Sequence, residues 1–440
     1  MGYEEAEEFI YGLAPSFQQV GRRAYKAGMG NTLELDRHLG HPHRKYGTIH
    51  VGGTNGKGST AHTLAAILQA AGYRVGLYTS PHLLSLRERV RIDGREMEKA
   101  AVAEFVEREK GLLERMRPSF FELTTAMALD YFARREVDVA VVEVGLGGRL
   151  DCTNVLEPLV AVITNIGLDH TDLLGHTLGE IAAEKAGIIK RKTPVVVGKT
   201  TEETLPVFRR KAEEMGAPLW LAYAPSPLSG AERAAGKPGW IYTLRDTGER
   251  IYGELGGECQ KENAATILKT VEVLRGLPEG KGLKITDGDI RKGFAEVCSM
   301  TGLRGRWETM GESPKVVCDT GHNADAFKYI VGQLEGVKAK NLRIVMGMVS
   351  DKDYRTVVGM LPRRAKCYFA RATTRRSLGA EALAEVARER GMECETFEDV
   401  GSAYRKAMEK AEREDFIFVG GSTYVVADLL DYLRSRTTKS

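Results

Sequence analysis

A glycine-rich turn between an apolar run and a helical pattern constrains this chain more than anything else in it. The stretch is Thr48-Ile-His-Val-Gly-Gly-Thr-Asn-Gly-Lys-Gly-Ser-Thr-Ala-His62. It predicts a short buried strand, a tight turn and a helix running to about Ala71. Gly52, Gly53, Gly56 and Gly58 remove Cβ atoms, so the backbone can take positive φ and approach a ligand. The turn opens onto a helix N-terminus, where N–H groups and the dipole favour a phosphate. The candidate nucleotide-binding set is therefore Thr54, Asn55, Gly56, Lys57, Gly58, Ser59 and Thr60. Lys57 is placed for the outer phosphates, and Ser59 or Thr60 for phosphate or Mg²⁺. The strict P-loop pattern puts Ser or Thr directly after Gly-Lys, whereas Gly58 intervenes here. On these residues alone a plain glycine-rich strand–helix turn remains the alternative.

At 440 residues the chain has room for two or three domains. Lys+Arg 63 against Asp+Glu 60 leaves +3, so bulk charge argues for neither nucleic acid nor membrane as a partner. No apolar run approaches the roughly 20 residues that span a bilayer. The acidic start, Met-Gly-Tyr-Glu-Glu-Ala-Glu-Glu, reads against a signal peptide. The six cysteines are scattered without a Cys-x-x-Cys, so reduced thiols in a cytoplasmic protein are expected.

Other strand ends carry chemistry. Residues 1–46 read as helical, with one helix over 30–40. Residues 74–80 read as a second strand ending in Thr79-Ser80-Pro81-His82, and loops at such ends are where open α/β sheets place ligands. A charged helix is expected over 98–116, then an amphipathic one from Ser119-Phe-Phe-Glu-Leu-Thr-Thr125 to about 135. Asp138-Val-Ala-Val-Val-Glu-Val-Gly145 reads as a strand buried on both faces, interrupted by Glu143. A carboxylate there is costly unless paired or bound to a cation. The strand over 159–165 leads to Asp169-His170. A helix is expected over 177–190, with Lys185 on its apolar stripe beside Ile181, Ile188 and Ile189. A buried lysine tends to lose its proton, and a neutral amine can react with CO₂; a snorkelling lysine is the alternative. Residues 240–252 alternate like a hairpin. Gln260 and Asn263 share one helix face. A linker over 299–308 follows a helix over 287–297, and strands near 315, 342, 366 and 415 alternate with helices.

Taken in order, Gly-Thr-Asn-Gly-Lys-Gly-Ser59, Ser80-Pro-His-Leu83, Phe121-Glu-x-x-Thr, Glu143-Val-Gly-Leu-Gly-Gly-Arg-Leu-Asp-Cys-Thr-Asn154, Gly-Leu-Asp-His170, Gly-Arg306-x-Glu308 and Asp319-Thr-Gly-His-Asn323 resemble folylpolyglutamate and dihydrofolate synthases of the Mur-ligase group. The departures are Cys152 for the usual Ala and Arg304 for the usual Pro. The resemblance implies a nucleotide site that Asn263, Arg306 and Asp319 join, the arginine reaching across a cleft. It implies Mg²⁺, in two sites, held by Ser80, Glu143, His170 and a carbamate on Lys185. It implies a pteroyl pocket lined by Phe121, Glu122, Thr124, Leu150, Asp151 and Cys152, with Ser422 for the incoming amino acid. Lys57, Glu143, His170, Lys185, Asp319 and His322 would be the catalytic set.

The expected fold is α/β: a P-loop-type doubly wound, mostly parallel sheet over 1–302 with a small antiparallel appendage, then a smaller Rossmann-like domain over 303–440. The implied activity is ATP-dependent ligation of L-glutamate to dihydropteroate or a reduced folate through an acyl phosphate, by a cytoplasmic monomer. The alternatives are a sibling ligase for another carboxylate and a non-catalytic nucleotide-dependent switch.

Overall fold

The computed structural model describes residues 1–14, 21 and 28–437. Part of the helical expectation for 1–46 falls on 15–20 and 22–27, outside the described residues; helices Tyr3–Leu13 and Gly30–His38 flank that stretch. Among the described residues no helix is long and apolar enough to cross a membrane.

The chain divides into two compact units. The first holds Met1–Glu254 and Gln260–Leu303, the second Leu255–Cys259 and Arg304–Ser440. The first is built on strands β1 Gly47–Gly52, β2 Val75–Tyr78, β3 Val90–Ile92, β4 Arg95–Glu96, β5 Val139–Glu143, β6 Val160–Asn165, β7 Val195–Lys199 and β8 Leu219–Leu221. Their order is β4-β3-β2-β5-β1-β6-β7-β8, parallel from β2 to β8 with an antiparallel β2-β3-β4 edge.

Strand β5 shows why the run is apolar on both faces. Successive side chains point to opposite faces. Ala140 and Val142 pack with helices Phe120–Arg134, Lys99–Met116 and Tyr3–Leu13. Val139 and Val141 pack with helices Lys57–Ala70, Gln260–Arg275 and Asp287–Ala295. By the same alternation Glu143 lies on the face of helix Lys57–Ala70. Helix Lys99–Met116, expected as a charged, solvated element, buries Val102, Phe105, Val106, Leu112 and Leu113.

A three-stranded antiparallel sheet follows: β9 Leu228–Arg233, β10 Trp240–Leu244 and β11 Arg250–Gly253. It is more than the expected appendage, because Trp240, Tyr242 and Ile251 join the core around helix Lys57–Ala70. Two helix ends differ from expectation. The helix expected over 177–190 is Leu178–Ala186, started by the Thr177/Glu180 capping box. It stops where the loop at Arg149 presses on Gly187, whose Cβ would sit 2.4 Å from Arg149 Cα. The expected linker start is helical, since Val297–Thr301 forms a short helix.

The second unit holds β12 Glu308–Glu312, β13 Lys315–Asp319, β14 Leu342–Met346, β15 Ala365–Ala370, β16 Cys394–Phe397 and β17 Phe416–Gly420 in the order β12-β13-β17-β14-β15-β16. All pairs are parallel except β12–β13.

Candidate functional site

The glycine-rich turn leaves β1 at the centre of the larger sheet. Gly53 takes φ +134°, and a Cβ there would lie 2.0 Å from Thr164 Oγ1. Gly56 takes φ +83° at the helix N-cap, with a virtual Cβ 2.3 Å from Asn263 Oδ1. Both positions exclude a side chain. The end of β6 holds the turn: Thr54 N–H donates to Asn165 O and Asn55 N–H to Asn165 Oδ1, both at 2.9 Å. Thr164 Oγ1 donates to Asn55 O at 2.6 Å. Thr54 Oγ1 is tied to the Gly167 backbone, so its side chain braces the loop.

No side chain caps helix Lys57–Ala70, which leaves its N-terminal N–H groups for an anion. Gln260 Nε2 donates to Ser59 Oγ at 3.1 Å, and Asn263 Nδ2 to Gln260 Oε1 at 2.8 Å. Of the two hydroxyls expected to compete, Ser59 is thus partnered, while Thr60 Oγ1 is buried without a hydrogen-bond partner. Gln260, recognised in sequence only as a face-mate of Asn263, fixes this arrangement.

Lys57 Nζ donates to Thr54 O at 3.0 Å. Lys185 Nζ donates to Gly53 O at 2.8 Å, so the buried lysine rests on the same turn. Burial first, then the charge of Lys57, lower its pKa to about 7, against the pull of Asp169 and Asp151. Glu143 is buried at the end of β5, opposite Val51 of β1, and accepts from Ser80 N–H at 3.0 Å. His170 stands in a left-handed conformation (φ 51°), its N–H donating to Asp169 Oδ1 at 2.8 Å.

Among the described residues no three His, Cys, Asp or Glu side chains cluster at metal-holding distance. Glu143 and Ser80 fit an ion such as Mg²⁺, which takes most of its oxygens from phosphates and water. As an ammonium, Lys185 is a donor and no metal ligand; only a carbamate would make it one.

On the opposite face of the sheet, the ring of Phe121 meets the 145–154 loop at Gly145, its Cζ 2.4 Å from where a Gly145 Cβ would be. It packs on Tyr78, ring centroids 5.8 Å apart, and Tyr78 Oη meets Thr124 Oγ1 at 3.0 Å. Glu122 caps its own helix, accepting from Ser119 N–H at 2.6 Å, and also accepts from Asn31. Asp151 accepts from Leu146 N–H at 2.8 Å, from Thr153 N–H at 2.9 Å and from the Thr153 hydroxyl. Burial raises its pKa against these bonds. Three expected pocket residues therefore carry structural bonds of their own. Burial and the nearby Asp151 carboxylate push the Cys152 thiol up, keeping it protonated. Leu150 follows Arg149 in the loop, and Arg149 pairs with Glu184 at 2.9 Å.

In the second unit Asp319 ends β13 and accepts from Trp307 N–H at 2.8 Å and Gly321 N–H at 2.7 Å. Burial raises its pKa, and Arg306 opposes the shift. Arg306 donates to Thr320 Oγ1. His322 Nδ1 donates to Thr320 O at 3.2 Å. Ser422, buried, accepts from Val425 N–H at 3.3 Å and so caps the last helix.

The Mur ligase middle domain matches residues 51–224, and the Mur ligase glutamate ligase domain matches 305–423. A probable bifunctional folylpolyglutamate synthase/dihydropteroate synthase of Haloferax volcanii is 36% identical over 97% of this chain, which spans 50% of that relative's length. The dihydrofolate synthase/folylpolyglutamate synthase of Escherichia coli is 36% identical over 88% of this chain and 86% of its own. The solved structure of E. coli FolC in complex with DHPP and ADP aligns over 99% of both chains, with 32% identity and a TM-score of 0.84. The Yersinia pestis bifunctional folylpolyglutamate synthase/dihydrofolate synthase complexed with AMPPNP and Mn ion aligns over 99% of this chain and 98% of its own, with 32% identity and a TM-score of 0.82.

Proposed function

Because the chain belongs to the folylpolyglutamate synthase/dihydrofolate synthase family of Mur ligases, we propose that it joins L-glutamate to the carboxylate of a pteroyl or folyl substrate at the expense of ATP. The observation that carries this reading is that Lys57 and Lys185 both donate to backbone carbonyls of the glycine-rich turn, with Glu143 at the neighbouring strand end.

A carboxylate is a poor electrophile. Its oxygen attacks the γ-phosphorus of ATP, ADP departs, and an acyl phosphate forms. The glutamate nitrogen then attacks the acyl carbon, the tetrahedral intermediate expels phosphate, and the nitrogen loses a proton to give the amide. The chain's share is placement and charge neutralisation. The turn's N–H groups and Lys57 hold the phosphates. The 145–154 loop and Phe121 hold the pteroyl group. Asp319 and His322 are the second unit's candidates for the catalytic set. Glu143, Ser80 and His170 would hold Mg²⁺, which neutralises phosphate charge when bound. Nitrogen is an unusual partner for that ion, so His170 acts partly through water. A carbamate on Lys185 would supply oxygens for a second ion. We place the enzyme in the cytoplasm as a monomer; the thiols of Cys152, Cys318, Cys367 and Cys394 suit a reducing compartment.

Glutamate-dependent ADP release, measured with dihydropteroate and separately with a reduced folate monoglutamate, tests the reading. Turnover with either names the activity, and turnover with both makes the enzyme bifunctional. Silence with both despite tight ATP binding overturns the folate reading.

A further inference from the structure

One buried titratable group has no part in the chemistry above. His50 lies in β1, fully buried, between Ile49 and Val51, which face helix Lys57–Ala70. By alternation His50 faces the other way. Its Nε2 is 2.7 Å from Thr153 Oγ1. Its Nδ1 is buried with no hydrogen-bond partner.

The donors can be assigned by counting hydrogens. Both oxygens of Asp151 already accept a backbone N–H, one from Leu146 and one from Thr153. The Thr153 hydroxyl gives its one hydrogen to Asp151 Oδ1. It must then accept from His50, whose proton is on Nε2, and Nδ1 is left as a bare acceptor. An aliphatic side chain would fill this place with no orphaned nitrogen. What the imidazole adds is a single N–H.

We propose that His50 is a positioning residue for the pteroyl-side loop, holding Thr153 and through it Asp151, so that the backbone from Gly145 to Thr153 is set before substrate arrives. The same strand leads two residues later into the nucleotide turn. One short segment thereby anchors the phosphate cradle at its end and the substrate loop on its flank. The opposite side of the loop is pinned separately. Arg149 N–H donates to Glu184 O at 2.8 Å, Asn154 Nδ2 to Gly187 O at 3.1 Å and Lys190 Nζ to Asn154 O at 2.6 Å. Burial, then the charge of Lys190, hold the His50 pKa down to about 3, so the imidazole stays neutral and the bond persists across the working pH range.

The consequence for KM rests on the folate reading; the bond itself does not, and two measurements keep them apart. Hydrogen exchange is followed in the full chain for His50→Leu and His50→Gln, the second retaining an N–H near the Nε2 position. His50→Leu should speed exchange in 145–153 by about tenfold, the worth of one buried hydrogen bond, with strands β5 and β6 unchanged. His50→Gln should stay near wild type. In the activity assay His50→Leu should raise KM for the pteroyl substrate by a similar factor, with ATP-analogue affinity held within about twofold. Wild-type exchange in the loop of His50→Leu overturns the proposal. Equal loosening of β5 and β6 also overturns it, because His50 would then be a packing residue. A wild-type protein silent on pteroyl substrates overturns the folate reading alone, and the exchange result still decides the role of His50.

Discussion

Lys185→Met tests the charge of the buried amine. Lys185 is 4% exposed, and its pKa falls from 10.5 to about 7. The drop of about 3.5 units corresponds to roughly 5 kcal/mol of penalty on the charged form, at about 1.4 kcal/mol per unit. Above pH 10.5 the amine is neutral whether the chain is folded or not. Between about 7 and 10.5 the unfolded chain binds a proton that the folded chain lacks, so stability rises with pH. Below about 7 both states are protonated and the full penalty stands. Methionine has similar length and no charge, so the variant lacks this slope. It should be the more stable protein at pH 6, because losing the bond to Gly53 O costs only about 1 kcal/mol. Wild type should recover about 3 kcal/mol relative to the variant between pH 6 and pH 9, all of it above the folded pKa. Urea unfolding of both proteins in CO₂-free buffer measures the difference. A wild-type-minus-variant difference that stays flat over that range refutes the depressed pKa, and with it the route to a reactive neutral amine.

Three further outcomes are expected. Lys57→Ala should abolish glutamate-dependent ADP release, and normal turnover in that variant would sink the phosphate-loop assignment. Gly56→Ala forces a Cβ at φ +83° to within 2.3 Å of Asn263 Oδ1, so calorimetry with an ATP analogue should show at least about tenfold weaker binding. Arg343→Leu leaves the buried Asp415 carboxylate, 3.0 Å from that guanidinium, without its counter-ion; urea unfolding should show the second unit destabilised by roughly 3–5 kcal/mol.

Much of the site was legible because its physics is local. The apolar run 138–145 could only be a central strand, and one acid in it had to stand out. The 3.6-residue spacing placed Lys185 inward, and it is buried. What stayed hidden depends on partners far along the chain. The partner of the Ser59 hydroxyl is Gln260, about two hundred residues later. The early end of helix Leu178–Ala186 comes where Arg149 N–H takes the Glu184 carbonyl that Ile188 would use in a longer helix. Some roles left a signal. Ser119-Phe-Phe-Glu122 is a capping-box pattern, which already gave the Glu122 carboxylate a local use. The Thr153 link to His50 left none, since nothing local says that residues 103 positions apart meet.

The make-up of the second unit limits how the gene can be cut. Leu255–Cys259 belongs to it although the chain on both sides belongs to the first. Gln333 fastens that insert with both ends of its amide, donating to Gly256 O at 2.9 Å and accepting from Glu258 N–H at 3.1 Å. A fragment begun at Arg304 would leave both amide atoms of Gln333 without these partners. A hybrid enzyme that exchanges the carboxy-terminal portion with a relative must therefore take the distant pentapeptide along with it, as two splices rather than one.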